Sequence, residues 1–268
     1  MAPWMEELQS LMSEKAAGKE TSLLCFDIID STNEEAKRCA DAGAKSGLWI
    51  VSDAQSKGKG RRGRSWESPA GNNIFMSLLL RPFFLPDKAS MVTLVMALSV
   101  ARAIREATGL AAEIKWPNDI VINKKKAVGI LTELSVKEGF IDYLICGIGI
   151  NVNQQVFPEE ISQTATSLFL ESGREADRAD LICRVMERFE ENYRTFCQKQ
   201  NMSDLLSAYH ELLVNKDAEV RVLDPQGEYQ GIARGINRQG ELLVEKQDGT
   251  TEAVYAGEVS VRGIYGYV

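Results

Sequence analysis

Histidine is nearly absent from this sequence: His210 is the single one in 268 residues. The five cysteines form no Cys-x-x-Cys pair and show none of the spacings of a zinc knuckle. Because zinc sites are built mainly from these two residue types, a zinc centre of the usual kind is not expected. The odd number of scattered cysteines gives no disulfide framework either, and it favours free thiols in a reducing compartment.

Long apolar runs are also missing. The longest, around residues 91–100, is interrupted by Thr93 and Ser99 and is too short to span a bilayer. The N-terminus is amphipathic and acidic, without the basic start and apolar centre of a signal peptide. The sequence therefore predicts a cytoplasmic protein with no membrane partner.

Positive charge is in deficit, since 31 Lys and Arg face 38 Asp and Glu, for a net charge of −7. A protein whose main partner is nucleic acid normally presents a basic face, so no nucleic-acid partner is expected. The hydrophobic content of 44% and the charged content of 26% are ordinary for a globular enzyme.

Against this acidic background, the stretch SKGKGRRGRSW (56–66) gathers five cationic side chains and three glycines. Its Gly58–Gly63 segment matches G-x-G-x-x-G, but Pro69 and Gly71 follow too soon for the helix that a dinucleotide-binding turn must open. A solvated loop is the ordinary interpretation of a charge run. Glycine freedom combined with like charges is more typical of a segment that orders over a polyanionic ligand.

Hydrophobic periodicity predicts helices and strands in alternation up to residue 215. The predicted helices span about 4–16, 32–42, 87–108, 177–198 and 202–214, and the predicted strands span 22–29, 48–55, 73–80, 112–119 (broken by Pro117) and 140–153, with a hairpin through 123–125 and an irregular segment at 154–176. After residue 215, alternating apolar residues and regularly spaced turn signals predict a small β-barrel. We therefore expect an N-terminal helical extension (1–21), a main domain (22–215) and a C-terminal domain (216–268).

Four motifs in order carry a family resemblance. DSTNEEAK (30–37), the basic glycine loop, KWPND (115–119) with KKKAVGILTEL (124–134), and GIGINVN (147–153) together resemble the biotin protein ligases that biotinylate acetyl-CoA carboxylase. The resemblance covers about residues 22–215, and the tail resembles that family's SH3-like domain. It implies an α+β fold: a mixed β-sheet catalytic domain packed with helices, class II synthetase-like and of the biotin/lipoate ligase type, plus a small C-terminal SH3-like β-barrel.

The resemblance also implies a reaction. Biotin would be activated by attack of its carboxylate on the α-phosphate of ATP, giving biotinyl-5′-AMP, and then transferred to a lysine of a biotin carboxyl carrier protein. Two anions must approach each other, so fixed cations and a divalent ion such as Mg²⁺ are expected. No tightly bound prosthetic group is implied.

Carried over position by position, the resemblance assigns the site. The catalytic residues would be Lys126, bridging the biotin carboxylate and the α-phosphate, and Arg61. The residues implied for biotin binding are Ser31, Thr32, Asn33, Gln55, Gly58, Lys59, Gly60, Arg61, Lys126 and Gly129. Those implied for the nucleotide are Arg62, Arg64, Trp66, Asn118 and Asn151, with Trp66 offering an aromatic face to adenine, and Asp119 would be a metal ligand.

One position departs from the family pattern. The family usually reads Gly-Arg-Gly-Arg where this chain has Gly58-Lys59-Gly60-Arg61. Lysine keeps the positive charge but cannot form a two-pronged contact with a phosphate. The hypothesis that follows is weaker retention of the adenylate.

Other functions compete with this interpretation. A lipoate or octanoate protein ligase shares the catalytic fold, and a non-catalytic regulator could hold biotinyl-AMP. A nucleic-acid-binding protein could use the arginine loop. Only residues 1–21 precede the first predicted strand, too few for a three-helix DNA reader, so the monofunctional form is expected. Whether the protein is a monomer or a homodimer stays open.

Overall fold

The chain forms seven α-helices and twelve β-strands within the part described by the computed structural model, residues 1–15, 22–63, 65–66, 69–224, 227–256, 260–263 and 267–268. The helices are α1 Pro3–Lys15, α2 Thr32–Asp41, α3 Ala89–Thr108, α4 Glu159–Ser162, α5 Leu168–Ser172, α6 Arg178–Lys199 and α7 Leu206–Leu212. The strands are β1 Ser22–Ile29, β2 Leu48–Gln55, β3 Ile74–Leu80, β4 Glu113–Lys115, β5 Asp119–Ile122, β6 Lys125–Lys137, β7 Phe140–Ile150, β8 Ala218–Asp224, β9 Gly227–Ile236, β10 Leu242–Glu245, β11 Thr251–Val254 and β12 Ser260–Gly263.

The first seven strands form one mixed sheet in the order β1-β2-β3-β7-β6-β5-β4. Only the β1–β2 pair is parallel, and α2 is its crossover helix. One face of the sheet is covered by α3, which is apolar on nearly every side and ends at Gly109 in the left-handed conformation that favours glycine. The amphipathic helix α6 packs on the outer side of α3.

The opposite face of the sheet is covered only in part. Helix α2 buries Ala36 and Ala40 there against a small cluster that includes Ile145. Beyond Ile145, the alternation of CGIGI (146–150) turns Gly147 and Gly149 to the same face and Ile148 and Ile150 to the other. Strand β7 therefore presents no side chains of its own at Gly147 and Gly149, beside α2.

The last five strands form an antiparallel sheet in the order β11-β10-β9-β8-β12, consistent with an SH3-like fold. This second domain rests on the first: the Trp116 indole N–H donates to the Gly240 carbonyl (3.0 Å), and Gly240 lies against Leu94 of α3. His210 Nε2 lies within hydrogen-bond distance of the Ile236 backbone. The predicted α+β fold with a small C-terminal β domain is confirmed.

Two local predictions were wrong. The segment 154–176, predicted to be irregular, contains the short helices α4 and α5. Their sequences are too short to show a helical hydrophobic period. The helix predicted at 202–214 is confined to α7, because the turn before it is held by a hydrogen bond from Met202 N–H to the Arg238 carbonyl (2.8 Å). Residues 225–226 of a predicted turn lie outside the described residues, and the domain limits 1–21, 22–215 and 216–268 stay predictions. None of the described helices is long and apolar enough to cross a membrane.

Candidate functional site

A buried polar network closes one end of the sheet face beside α2. We call its four side chains, Thr32, Asn33, Gln55 and Ser77, the polar end. The Thr32 N–H donates to Gln55 Oε1 (2.8 Å), and the Ser77 hydroxyl lies 2.7 Å from Thr32 Oγ1 and 2.6 Å from Asn33 Oδ1. Helix α2 begins at Thr32, soon after the end of β1, so the chain reversal places Thr32 and Asn33 against the sheet. Gln55 and Ser77 come from strands β2 and β3. Ser31, buried beside them, is the residue before the helix.

Charged groups orient the Asn33 amide. Its Nδ2 donates to Glu133 Oε2 (2.7 Å), while Lys37 donates to Glu133 Oε1 (2.7 Å) and to Glu34 (2.8 Å). The ammonium groups of Lys37 and Lys59 both contact Glu34 and hold the pKa of its carboxyl below the usual value. Only one orientation of the amide serves both Glu133 as acceptor and Ser77 as donor.

Glycines of β6 and β7 form the floor of the site. Gly129 and Gly149 are paired across the two strands, and Gly147 lies next to Asn33 Oδ1 so closely that a side chain there would collide with it. We call Gly129, Gly147 and Gly149 the glycine floor. The indole of Trp66 lies on it: a β-carbon would come within 2.6 Å of the ring at Gly129 and 2.7 Å at Gly149. Close approach thus requires glycine at these positions.

The basic glycine loop folds over this floor. It is closed by a hydrogen bond from Trp66 N–H to the Gly58 carbonyl (2.9 Å) and by a bridge between Lys59 and Ser65, with a 3₁₀ turn at Arg61–Gly63. The Lys59 ammonium pairs with Glu34 (2.8 Å). Arg61 donates to Asn118 Oδ1 (2.7 Å). Arg64 and the side chain of Arg62, both predicted to bind the nucleotide, lie outside the described residues.

Lys126 faces the same space because of a β-bulge. Residues 126 and 129 are three apart, so in a regular strand their side chains would point to opposite faces. The register between β5 and β6 shifts between Ile120 and Val121, which turns Lys126 to the face of Gly129. The 164–166 segment fixes its backbone, with Lys126 N–H donating to the Thr164 carbonyl (2.7 Å).

An ion pair fixes the Lys126 ammonium. It lies 2.6 Å from Asp119 Oδ1 and 5.2 Å from the centre of the Trp66 ring. Burial by itself raises the pKa of the Asp119 carboxyl, but the ammonium groups of Lys126 and Lys115 outweigh it and hold the pKa below its ordinary value. The Asp119 carboxyl is therefore ionised at neutral pH.

Two adjoining cavities share these groups. The smaller, about 50 Å³, lies between the polar end and Lys126, and the larger, about 430 Å³, continues from Lys126 toward the C-terminal domain. Arg61, Trp66, Asn118 and Lys126 line both cavities. Only the larger volume falls in the range typical of ligand pockets, roughly 300–1,000 Å³.

The larger cavity is strongly cationic. Lys115 and Arg262 line it together with Arg61 and Lys126, against two carboxylates, the buried Asp119 and the exposed Glu160. Burial lowers the pKa of Lys115 to about 8. The Asp119 carboxylate opposes this shift, whereas the neighbouring cations Lys126, Arg262 and Arg61 act in the same direction as burial. Such a cavity suits a polyanionic ligand.

Most of the predicted site residues come together. Those at the two cavities are Ser31, Thr32, Asn33, Gln55, Lys59, Gly60, Arg61, Trp66, Asn118, Asp119, Lys126, Gly129 and Asn151. Gly58 lines neither cavity, but its carbonyl accepts the hydrogen bond from Trp66 N–H. Sequence reasoning missed Ser77, Glu133, Gly147, Gly149, Lys115, Arg262 and Tyr267. The alternation in GIGIN could have revealed the two glycines, whereas no sequence signal pointed to Tyr267.

The predicted metal site at Asp119 does not fit a resident ion. In the described part of the chain, no three His, Cys, Asp or Glu side chains come together as a ligand set. One oxygen of Asp119 accepts from Lys126 and the other from the Tyr267 hydroxyl. A magnesium ion is usually bound by one or two carboxylates together with substrate phosphates, and both oxygens of this buried carboxylate are already engaged.

Comparisons with known proteins agree with this geometry. Residues 25–151 match the model of the biotin/lipoate A/B protein ligase family, and residues 218–262 match the biotin protein ligase C terminal domain. The bifunctional ligase/repressor BirA of Bacillus spizizenii is 39% identical over 241 residues, covering 89% of this chain and 74% of that protein. The biotin–[acetyl-CoA-carboxylase] ligase of Mycobacterium tuberculosis is 32% identical, covering 85% of each chain.

A solved structure shows the same fold. The biotin protein ligase from Aquifex aeolicus in complex with biotin and ATP superimposes with a TM-score of 0.80 at 34% identity, covering 90% of this chain and 99% of that one. The sequence relatives, the superimposed structure and the matches to both domain models point to the same family. The chain belongs to the biotin protein ligases of the biotin/lipoate A/B protein ligase family.

Proposed function

We propose that this protein activates biotin with ATP, forming biotinyl-5′-AMP and pyrophosphate, and transfers the biotinyl group to a lysine of a biotin carboxyl carrier protein. One observation carries the proposal: a small cavity with a polar end and a glycine floor meets a larger cationic cavity at Lys126. Biotin and ATP are the ligands of the Aquifex aeolicus neighbour. The polar end lies on the side proposed for biotin, and the cationic cavity lies on the side proposed for ATP.

The polar end favours biotin over lipoate. The ureido group of biotin offers two N–H donors and a carbonyl acceptor, which can join the network of Thr32, Asn33 and Ser77. The dithiolane of lipoate offers no such groups, so the polar side chains would face a partner that cannot hydrogen-bond them. A site built for hydrogen bonds discriminates strongly against a ligand that lacks them.

Lys126 is the proposed catalytic residue for activation. An oxygen of the biotin carboxylate attacks the α-phosphorus, its electron pair forms the new O–P bond, and the bond to pyrophosphate breaks. Both reactants are anions and charge accumulates on the α-phosphate, so a fixed ammonium between them lowers the barrier. Asp119 holds that ammonium in place without neutralising the rest of the cationic cavity. Arg61, fixed by Asn118, supplies a second cation.

The second step releases AMP. A lysine amine of the carrier attacks the carbonyl carbon of the anhydride, an amide bond forms, the bond to the phosphate oxygen breaks, and the amine gives up a proton to solvent or to the departing phosphate. We propose that Mg²⁺ enters with ATP as part of the substrate, since Asp119 is already engaged by Lys126 and Tyr267. No step is assigned to an ion held by the protein.

Biotin-dependent exchange of labelled pyrophosphate into ATP tests the proposal. The natural protein should exchange only with biotin present, and Lys126→Ala should lose almost all activity. Lys125→Ala is the matched control, because it removes the same charge one residue away at the start of β6. Exchange driven by lipoate or octanoate in place of biotin would contradict the substrate, and equal loss in both variants would contradict the role of Lys126.

A further inference from the structure

Residue Tyr267 lies in the catalytic centre although it is far from every motif in the sequence. Its hydroxyl donates to Asp119 Oδ2, the oxygen of that carboxylate that Lys126 does not use. Its ring lies under the Lys115 ammonium, 4.3 Å from nitrogen to ring centre. One side chain of the C-terminal domain thus contacts two charged groups of the β4–β5 hairpin, Lys115 and Asp119.

The backbone around Tyr267 is fixed by the C-terminal sheet. Val268 lies directly on Gly263 at the end of β12, where even a methyl group would collide with it. Strand β12 is paired with β8, and the sheet as a whole is tied to the first domain through the bond between Trp116 and Gly240. The C-terminal sheet thus places Val268, the residue that follows Tyr267.

The hydroxyl has a specific effect on the ion pair. Asp119 is buried, and a buried carboxylate is stable only when its oxygens are hydrogen-bonded. With Tyr267 on one oxygen, the other points to Lys126 and sets the position of its ammonium. Without the hydroxyl, the carboxylate can rotate and draw the ammonium away from the reacting atoms, and small displacements of such groups are known to reduce rates strongly. A neutral donor achieves this without adding charge to the cavity.

We propose that Tyr267 is a positioning residue for biotin adenylation, acting through Asp119 on Lys126. The inference rests on the proposed function and deepens it. The inference concerns the formation of the adenylate, because Lys126 is the group proposed to act in that step. Biotin affinity should not change, because the polar end lies on the other side of Lys126 from Tyr267.

Tyr267→Phe tests the inference, because it keeps the ring and its contact with Lys115 and removes only the hydroxyl. We expect kcat for biotin-dependent pyrophosphate exchange to fall about tenfold or more, as for loss of a hydrogen bond to a charged group, with biotin affinity unchanged. Tyr255→Phe, an exposed tyrosine of the same domain, is the control. An exchange rate within about twofold of the natural protein would overturn the inference.

A double-mutant cycle shows whether the effect passes through Asp119. In the Asp119→Asn background, Tyr267→Phe should have little further effect on kcat, because the shared path is already broken. Independent, multiplying effects would overturn the inference. A purely structural role would lower the melting temperature of Tyr267→Phe and leave this coupling absent.

Failure of the proposed function gives a different result. In that case the natural protein itself shows no biotin-dependent exchange. Calorimetric titration of the natural protein and of Tyr267→Phe with ATP then tests the position of Lys126 separately. A displaced Lys126 should weaken ATP binding at least about threefold in Tyr267→Phe. On a logarithmic scale this is half of the roughly tenfold effect expected for one lost hydrogen bond. Equal ATP affinities would overturn the inference.

Discussion

The indole of Trp66 lies directly on Gly149, with no room for even a methyl group between them. The same ring covers Gly129, so it occupies the part of the glycine floor that a flat ligand would use. The small cavity of about 50 Å³ reflects this arrangement. Ligand pockets usually measure at least roughly 300 Å³, so a bound ring system requires Trp66 to shift.

Biotin should therefore change the fluorescence of Trp66. The protein has four tryptophans, and Trp66 is the one that lines both cavities. Titration with biotin should alter the intrinsic emission of the natural protein, and Trp66→Phe should remove most of that change. Trp4→Phe, in the N-terminal helix, is the control and should leave it intact. An undiminished change in Trp66→Phe would mean that Trp66 stays in place.

Ser77→Ala should weaken biotin binding about tenfold, as expected for a lost buried hydrogen bond. The hydroxyl lies within hydrogen-bond distance of both Thr32 Oγ1 and Asn33 Oδ1, so its removal loosens the polar end. Calorimetric titration with biotin measures the effect. Ser52→Ala removes an equally buried hydroxyl from the neighbouring strand β2, where it bonds the Ala54 carbonyl, and should leave biotin affinity unchanged. Equal affinities for both variants would show that Ser77 has no part in the site.

The efficiency of ATP use should fall above pH 8. Burial lowers the pKa of Lys115 to about 8, so its ammonium is charged below that pH and is lost as the pH rises through it. The groups that face it are Asp119, Lys126, Arg61, Arg262 and the ring of Tyr267. Loss of one cation weakens attraction to the phosphates, so kcat/KM for ATP, which reports the free enzyme, should decline between pH 7 and 9.

Lys115→Arg is the variant that checks this assignment. Arginine stays charged throughout the range, so the decline should disappear or move to higher pH. The lowered pKa of Lys115 also makes the stability of the fold depend on pH, in the direction opposite to that of the activity. Because the unfolded chain binds this proton more tightly, with a pKa of 10.5, the free energy of unfolding should rise with pH between 8 and 10.5. An identical pH profile for Lys115→Arg would assign the decline to another group.

Lys59→Arg should slow the release of biotinyl-5′-AMP. Lys59 reaches Glu34 through a single ammonium contact and is half exposed, whereas an arginine can hold a carboxylate and a phosphate with separate N–H groups. The dissociation rate of the adenylate, followed after dilution into excess unlabelled biotin, measures the difference. Lys57→Arg in the same loop is the control. Equal dissociation rates for the natural protein and Lys59→Arg would refute the hypothesis.

The sequence was sufficient for the fold but only partly for the site. Strand and helix periods are local properties, and they predicted the β1–α2–β2 unit and the main helix α3 close to their observed limits. Lys126 could be assigned only by resemblance, since the bulge that turns it toward Gly129 depends on the register with β5. Register between strands is a tertiary property that one strand's sequence does not encode.

Ser77 and Tyr267 show the same limit in another form. Ser77 stands in the apolar run IFMSLLL, where it looks like a neutral interruption of a buried strand. Its value comes from Thr32 and Asn33, which lie some forty residues earlier in the chain. Tyr267 depends on the way two domains meet. Contacts between distant segments decide both roles, and no local pattern records them.

The hydrogen bond between Asn33 and Glu133 has a consequence for folding, because it joins residues 100 positions apart. The polar end also needs β2 and β3, which carry Gln55 and Ser77. It therefore exists only after the sheet has closed around these long loops, the slow part of folding such topologies. A chain that has not completed the sheet has nowhere to bind biotin. The vitamin should therefore select and stabilise the completed fold by mass action, and its concentration in the cell would influence how long each copy survives proteolysis.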